Sequence, residues 1–279
     1  DLTPDCTASA APHYHRCGTI SAKFIRIVFK YRVSRYIKTH PVVFVGLGSY
    51  NRVKDLPEKI FAVAGEVRNK FDKIADKDAI VKKEDIVIID PKFDFEGRLL
   101  NFVVPGESER WTVLRVGYAS TGSVCSPASD FGKGFEVDKL NSKALDRYFD
   151  GHIAKLVKVC GIDPSSDPMG RAGFNMVLVD SWEVGSQNWT DGFEKTFEKI
   201  CSYPVFGFLP CFAGFVVGSS EETEKFYDDF RKVIEELFAK NYVGRLSQRC
   251  REAGIMLSVE PYSNQPCSTM RYGYDVDCP

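Results

Sequence analysis

Apolar and polar positions follow two different patterns along this 279-residue chain, and the pattern changes near residue 111. In the first part, alternating or β-branched runs predict short strands at residues 24–31, 42–45, 86–89 and 102–104. Apolar side chains at helical spacing predict a helix over residues 57–71. We expect residues 1–20, which are small and polar, to be a disordered leader. Residues 21–105 are expected to form a small α+β segment that precedes a larger domain.

From residue 111 onward, strand-like runs alternate with long amphipathic helices. The predicted strands are residues 112–118, 175–179 and 255–259, and the predicted helices are residues 142–159, a helix from Asp191, and residues 221–252. A repeated strand-then-helix order is typical of a parallel sheet. The fold class is therefore predicted to be α/β, with residues 106–279 forming part of a (β/α)8 TIM-type barrel that is truncated at its C-terminal side. One stripe of the last helix is predicted to be core, and it contains Phe226, Phe230, Val233, Ile234, Phe238 and Leu246.

The apolar run at residues 177–179 breaks abruptly into acid, indole and amide side chains. A buried parallel strand has a continuous apolar sequence, and in α/β barrels the residues just past its carboxyl end form the active-site face. Glu183 is therefore the first candidate catalytic residue. Indole rings offer flat apolar faces to a pyranose, and acid and amide groups offer partners for its hydroxyls. The candidate sugar contacts of this segment are Asp180, Trp182, Gln187, Asn188 and Trp189.

A second carboxylate, Glu260, follows the apolar run at residues 255–259. Glycoside hydrolysis uses such a pair, because one acid protonates the leaving oxygen while the other carboxylate acts as a nucleophile or activates water. A glutamate at a strand end also serves structure when it accepts backbone or arginine hydrogen bonds. The residues alone leave three hypotheses open: an inverting glycosidase, a retaining glycosidase with Glu183 as acid and Glu260 as nucleophile, and a non-catalytic carbohydrate-binding protein.

Residues 118–140 are predicted to form a long polar loop after a strand, a place where long loops are usually functional. Glu136 and Asp138 are its candidates for contact with a substrate. Asp138 is equally suited to the positive end of the helix that starts near Ser142.

The composition of the chain limits the classes of binding partner that are expected. The balance of 37 Lys and Arg against 38 Asp and Glu gives no electrostatic reason to bind nucleic acid or an anionic membrane, so neither is expected as a partner and a neutral substrate fits better. The longest apolar run, residues 203–218, contains two prolines and falls short of the roughly 20 residues of a spanning helix. Nine widely spaced cysteines without a CxxC pair predict mostly free thiols.

Five blocks of the sequence, taken in order, resemble the signatures of the α-L-rhamnosidases of glycoside hydrolase family 106. The blocks are Trp111-Thr112-Val113-Leu114-Arg115-Val116-Gly117, Ser120-Thr121-Gly122, Gly134-Phe135-Glu136-Val137-Asp138-Lys139-Leu140, Asp180-Ser181-Trp182-Glu183-Val184-Gly185-Ser186-Gln187-Asn188-Trp189 and Val259-Glu260-Pro261-Tyr262. Matches in a fixed order are more specific than any single block.

The resemblance implies a (β/α)8-type catalytic barrel and an inverting, calcium-assisted hydrolysis of terminal α-L-rhamnose from glycans or glycosides. It places Glu183 in the position of the general acid and Glu260 in that of a second active-site carboxylate, which holds the calcium or the sugar. Asp180 is a further candidate metal ligand, and Tyr262 joins the candidate substrate contacts. The family also favours a secreted or periplasmic location, although the first twenty residues lack the pattern of a secretory signal.

The chain departs from the family in one respect. A Gly-Glu-Phe-Trp motif follows the Val-Glu-Pro-Tyr block in that family and supplies the base, whereas this sequence ends at Pro279 without it. We therefore expect the chain to be a fragment of a longer polypeptide, with a catalytic machinery that is incomplete within these 279 residues.

Overall fold

The computed structural model describes residues 53, 55–62, 80–89, 111–163, 173–182, 184–261 and 265–279. Their α-helices are α1 (Leu56–Lys59), α2 (Ser142–Gly151), α3 (Ile153–Val159), α4 (Phe193–Cys201), α5 (Ser220–Phe238), α6 (Arg245–Glu252) and α7 (Thr269–Gly273). The strands are β1 (Ile80–Val81), β2 (Met176–Val179), β3 (Val216–Val217) and β4 (Met256–Val259). Short 3-10 segments cover Lys83–Asp85 and Val205–Ala213, and a π-helical segment, Ala239–Gly244, joins α5 to α6.

Strands β2 and β4 lie parallel and in register, which confirms the two strands predicted at these positions. Met176 is opposite Met256 and Val179 is opposite Val259. The ladder continues past the last strand residue, since the Glu260 N–H donates to the Val179 carbonyl at 2.9 Å. On the other side of β4, Cys278 adds a single parallel bridge to Ser258.

A second parallel pair joins β1 to β3, with Ile80 opposite Val216 and Val81 opposite Val217. The Thr223 hydroxyl locks the start of α5 onto this pair, because it accepts from the Val217 N–H at 2.9 Å and lies 3.1 Å from the Val217 carbonyl. A region before residue 105 and a region after residue 200 thus share one sheet.

The buried face of helix α5 forms the centre of the hydrophobic core. Ser219 begins it, because its hydroxyl accepts from the Glu222 N–H at 3.1 Å and satisfies one of the free donors of the first turn. The stripe predicted from helical spacing is confirmed, since its six side chains are all buried. Around it pack aromatic rings of α4 and of the segment Val205–Ala213, such as Phe208, whose ring stacks on Phe226 with centroids 5.0 Å apart.

Three predicted elements differ from the structure. Residues 112–118 form no strand; they are exposed and irregular, because none of the described residues lies beside them as a partner strand. Residues 86–89 are also irregular, and the strand of this region lies earlier, at Ile80–Val81. The helix predicted at residues 57–71 leaves helical geometry after Lys59, since Phe61 adopts a φ of 49°. The remainder of that helix lies outside the described residues, as do the strands predicted at 24–31, 42–45 and 102–104.

The long helices agree with prediction more closely. The helix predicted at residues 142–159 is present but divides at His152, whose φ of −128° and ψ of −69° separate α2 from α3. The helix predicted at residues 221–252 runs through α5, the π-helical segment and α6 without leaving helical geometry. The described residues thus show a mixed α/β fold with parallel strands, but they do not show a closed barrel. In the described ranges, no helix is both long and apolar enough to cross a bilayer.

A buried ion pair attaches α1 to α5. The Lys59 ammonium contacts the Glu224 carboxylate, and their side chains are 2% and 13% exposed. The ammonium also lies 5.6 Å from the centre of the Tyr227 ring. Removing one partner of a buried pair leaves the other charge in a poorly solvated place.

We predict that Lys59→Met lowers the free energy of unfolding by about 3–5 kcal/mol, because the Glu224 carboxylate loses the ammonium beside it. Urea denaturation measures the change. Lys133→Met is the matched control: its pair with Asp130 is 66% and 89% exposed, and its loss should change stability by less than about 1 kcal/mol. Equal effects of the two variants would contradict the prediction.

A second ion-pair group joins α2 to α6. Arg245 binds Asp146 through two hydrogen bonds of 2.8 and 3.0 Å, and Arg249 adds a third at 2.9 Å. The hydrogen bond from Arg245 lowers the pKa of Asp146 below its ordinary value. A carboxyl group whose pKa is depressed on folding stabilises the fold above its unfolded pKa and loses that contribution as the pH falls through the folded pKa.

Asp146→Asn should therefore destabilise the chain at pH 7 by about 1 kcal/mol, a modest value because both side chains of the pair are more than a quarter exposed. The difference from the unchanged chain should shrink towards zero below about pH 3.9, where the unfolded-state carboxyl is protonated. Thermal melts from pH 7 to pH 2.5 test this. A deficit that persists unchanged at the lowest pH would assign the effect of Asp146 to packing instead.

Candidate functional site

The polar residues that follow β2 and β4 lie at the same end of the sheet. Val179 and Val259 are paired across parallel strands, so Asp180 and Glu260, the next residue of each strand, leave the sheet side by side. Both are exposed. The Asp180 carboxylate accepts from the Ser181 N–H at 2.8 Å, which turns the chain away from the strand.

Two of the predicted site residues, Glu183 and Tyr262, lie outside the described residues. The neighbours of Glu183 in sequence are well defined by contacts. Trp182 is 6% exposed, and its indole N–H donates to the Gly185 carbonyl. The Val184 carbonyl accepts from the Ser123 hydroxyl at 2.8 Å. Trp182 and Val184, which flank Glu183 in sequence, thus each make a hydrogen bond.

Trp182 differs from its predicted role. Its ring packs edge-on against Phe238 of α5, with centroids 5.0 Å apart, and the Lys139 ammonium lies 5.2 Å from its centre. A side chain this deeply buried offers no face to a pyranose. An indole ring buries a large apolar area, so Trp182 packs into the core although it follows the end of a strand.

Asp138 is the point at which the two loops meet. One carboxylate oxygen accepts from the Leu140 N–H at 3.0 Å and from the Gln187 amide, and the other accepts from the Thr190 hydroxyl at 2.6 Å. The Gln187 carbonyl in turn accepts from the Lys139 N–H at 3.1 Å. Asp138 and Gln187 therefore join the loop of residues 118–140 to the loop of residues 184–190. Asn141 caps α2 in place of Asp138, since its side chain accepts from the N–H groups of residues 143 and 144.

Glu136 belongs to a second, buried contact. It binds the Lys139 ammonium at 2.7 Å, and the two side chains are 20% and 7% exposed. Tyr242 of the π-helical segment lies on the other side of that ammonium, 5.7 Å away. Burial raises the pKa of the Tyr242 hydroxyl, so this ring stays neutral beside the cation. A buried lysine needs a carboxylate partner of this kind, which gives Glu136 a structural role.

Asn188 and Trp189 attach the second loop to its surroundings. The Asn188 amide donates to the carbonyl of Ile60 at 2.8 Å. Trp189 is half-buried; its ring lies 4.5 Å from Phe193 of α4 and stacks on Tyr118 at 6.2 Å. Of the two indoles predicted to contact sugar, only Trp189 lies near the surface.

The sequence-based prediction missed four residues that shape this region, namely Tyr118, Ser123, Lys139 and Thr190. All four lie within or next to the blocks that resemble the rhamnosidase signatures, so position relative to those blocks was a usable signal. Their partners are 48 to 73 residues away along the chain, as for Lys139 with Gln187 and Tyr118 with Asp191. Local periodicity carries no information about contacts at that separation.

The side chains at the strand ends match only part of what a calcium ion requires. Calcium takes six to eight oxygen ligands, often from carboxylates and carbonyls. Asp180 and Glu260 are suitable in chemistry, yet the described residues contain no group of three or more His, Cys, Asp or Glu side chains that would hold a metal ion. These two carboxylates supply too few oxygen ligands to make a calcium site by themselves.

Other reactive features lie elsewhere. The seven cysteines in the described part of the chain are free thiols, and burial raises the pKa of Cys211, Cys250 and Cys267 to about 12. Such thiols are protonated at neutral pH and are not nucleophiles. A polar cleft of ≈ 560 Å³ opens between helices α2, α5 and α6, and it is lined by none of the predicted site residues.

The chain is similar to known proteins over most of its length. The sequence matches the α-L-rhamnosidase family, glycoside hydrolase family 106, over residues 27–279. It is 37% identical over 230 residues to a protein of Formosa agariphila named "Putative beta-glucuronidase", a match that covers 81% of this chain and 19% of that protein. The fold is similar to that of a rhamnosidase from Novosphingobium sp. PP1Y, with a TM-score of 0.51, 26% identity, and coverage of 56% of this chain and 15% of that one.

These matches define the class as that of the glycoside hydrolases. Because the family match extends over nearly the whole sequence, the chain belongs to glycoside hydrolase family 106, the α-L-rhamnosidase family. The resemblance found in the five sequence blocks is confirmed. The chain spans about a fifth of the length of the curated relative that it matches.

Asp138→Ala tests the connection between the loops. We expect a loss of about 2–3 kcal/mol in the free energy of unfolding, because three donors lose their acceptor in a part-buried place. Amide hydrogen exchange should accelerate in residues 184–190. Asp130→Ala, in the same loop but with an exposed ion pair, is the control and should leave both measurements unchanged. Unchanged exchange in Asp138→Ala would show that the loops are held by other contacts.

Proposed function

We propose that the protein to which this chain belongs removes terminal α-L-rhamnose from glycans or glycosides by an inverting mechanism, with Glu183 as the general acid. The observation that carries the proposal is the parallel pairing of β2 with β4 within a chain of the rhamnosidase family. The pairing supports a shared site, because the residues that follow two adjacent parallel strands emerge at one edge of the sheet.

In this proposal the Glu183 carboxyl group gives its proton to the glycosidic oxygen as the bond to the anomeric carbon breaks. A water molecule attacks the opposite face of the sugar and gives up its proton to a second carboxylate, so that the configuration at the anomeric carbon is inverted. Glu260 contributes a carboxylate on the same side of the sheet and is assigned to holding the sugar or a cation. Asp180 is its nearest counterpart on β2.

A neutral sugar is favoured over an anionic one. The ends of β2 and β4 expose two carboxylates, Asp180 and Glu260, and these repel a uronate carboxylate at short range. The name of the Formosa agariphila relative points to a glucuronide as the second candidate substrate. Aryl α-L-rhamnoside and aryl β-D-glucuronide, offered to the same preparation, distinguish the two substrates directly.

The stereochemistry distinguishes the mechanisms. An inverting enzyme releases β-L-rhamnose first from an α-L-rhamnoside, whereas a retaining enzyme with Glu260 as nucleophile releases α-L-rhamnose first. Proton NMR during the first minutes of reaction identifies the anomer. Binding of the sugar without any release of rhamnose would instead support a carbohydrate-binding protein. Calcium assistance stays a prediction, and turnover measured with calcium and with a chelator tests it.

Glu183→Gln is predicted to reduce kcat by about 10² to 10⁴ on rhamnosides with poor leaving groups, because the leaving oxygen then departs without a proton. On 2,4-dinitrophenyl α-L-rhamnoside the loss should be far smaller, since that leaving group is stable as an anion. Glu198→Gln, an exposed position on α4, is the control and should leave both rates unchanged. Equal losses on the two substrates would remove Glu183 from the role of general acid.

The assays are made on the 279-residue chain and on the full-length gene product. The chain alone is expected to turn over rhamnosides poorly, because the family's base motif is absent from its sequence. Comparable turnover by the two would favour the retaining alternative, in which Glu183 and Glu260 suffice.

A further inference from the structure

Tyr118 presents an exposed aromatic ring beside the loop that follows β2. Its side chain is 61% exposed, although a ring of this size is usually at least half covered in a folded domain. Trp182, by contrast, lies in the core. Tyr118 is therefore an exposed aromatic side chain beside the loop after β2, and it ends the segment predicted as a strand.

The ring is held in a fixed orientation. Its inner face stacks on Trp189, with centroids 6.2 Å apart and planes inclined by 28°. Trp189 rests in turn on Phe193, which is fully buried. At the other end, the Tyr118 hydroxyl donates to the Asp191 carboxylate. Two independent contacts thus fix both the plane and the tip of the ring.

The hydrogen bond to Asp191 also limits the chemistry of the hydroxyl. That bond raises the pKa of Tyr118 above its ordinary value, and the hydroxyl hydrogen is already engaged in the bond to Asp191. What Tyr118 offers to a solute is therefore the outer face of the ring. A rigid apolar face binds a partner with little loss of side-chain entropy.

The position of Tyr118 connects it to the proposed site. Its loop is tied to the loop after β2 by the Ser123–Val184 hydrogen bond of 2.8 Å, and the stack on Trp189 is a second tie. Both loops contain blocks of the rhamnosidase signature. A pyranose ring has an apolar face of C–H groups that matches a flat aromatic ring.

We propose that Tyr118 is a substrate-binding residue of this glycosidase, and that it stacks against a sugar ring of the bound saccharide through its outer face. The assignment rests on the proposed function, since it takes the saccharide to be the substrate of the same site. Recognition through a ring face depends on the shape of the sugar and not on the proton of the tyrosine hydroxyl. Tyr118 is accordingly expected to affect binding more than the chemical step.

Calorimetry with a rhamnose-terminated oligosaccharide tests the assignment, on the full-length gene product and on the 279-residue chain. Tyr118→Ala should weaken binding about tenfold, and Tyr118→Phe, which keeps the ring, should stay within about threefold of the unchanged protein. Trp189 fluorescence should change on binding in the unchanged protein and in Tyr118→Phe, because a sugar on Tyr118 alters the surroundings of the indole beneath it. Thermal melts check that all variants fold, which is expected for an exposed position.

The outcomes separate the two proposals. Oligosaccharide binding that is unchanged in Tyr118→Ala overturns the role of Tyr118 and leaves the proposed function standing. Equal weakening in Tyr118→Ala and Tyr118→Phe overturns stacking, since it assigns the effect to the hydroxyl. Failure of the unchanged protein to bind the saccharide or to release rhamnose overturns the proposed function together with the inference.

Discussion

The aromatic packing around α5 is the contact on which the candidate site depends. Phe230 of α5 lies 5.2 Å from Phe193 of α4, and Phe193 lies 4.5 Å from Trp189. Because these rings are large and close-packed, a shift of α4 against α5 would be transmitted to the loop after β2. The loop after β2 thus contacts the hydrophobic core directly through Trp189.

Hydrogen bonds and an ion pair also hold the site loops in place. Asp138 takes donors from its own loop and from the loop after β2, and the Lys139 ammonium is enclosed by Glu136, Trp182 and Tyr242. Each of these polar groups is shielded from water to some degree and has a partner, which is the condition for burying it without a large penalty. Acid, amide and indole side chains suit contacts with a sugar. In this protein several of them instead hold the two loops together.

The elements with long periodic patterns could be predicted from the sequence, as the buried stripe of α5 and the strands β2 and β4 show. The period of the apolar residues indicates which face of the element is buried. Burial of apolar surface is the largest favourable contribution to folding, so it decides that face. Strands of two residues, such as β1 and β3, leave too short a pattern to recognise. Residues 112–118 have the composition of a strand, yet an extended segment becomes a strand only beside a partner, and none of the described residues provides one.

The location of the candidate site stays a prediction, and several of its side chains have contacts that differ from those that residue type indicated. The order of the blocks located the loops, and the parallel register of β2 and β4 agrees with the expectation that their following residues share one edge. Residue type alone did not distinguish substrate contacts from structural ones. An indole or a carboxylate serves either purpose, and only the partners of the side chain show which. Asp138 and Glu136 are engaged by donors from the protein, and Trp182 is enclosed by the core.

The carboxylates of this region lie in two places, within the loops and at the strand ends, and their position bears on the contacts that a solute can make. Glu136, Asp138 and Asp191 each accept a hydrogen bond or ion pair from a side chain of the loops, so their charge is offset where it stands. Asp180 and Glu260 are exposed at the strand ends, where water and a solute have access to them. Like charges repel at short range, so two exposed carboxylates at one edge of a sheet favour the approach of a neutral or cationic group over that of an anion.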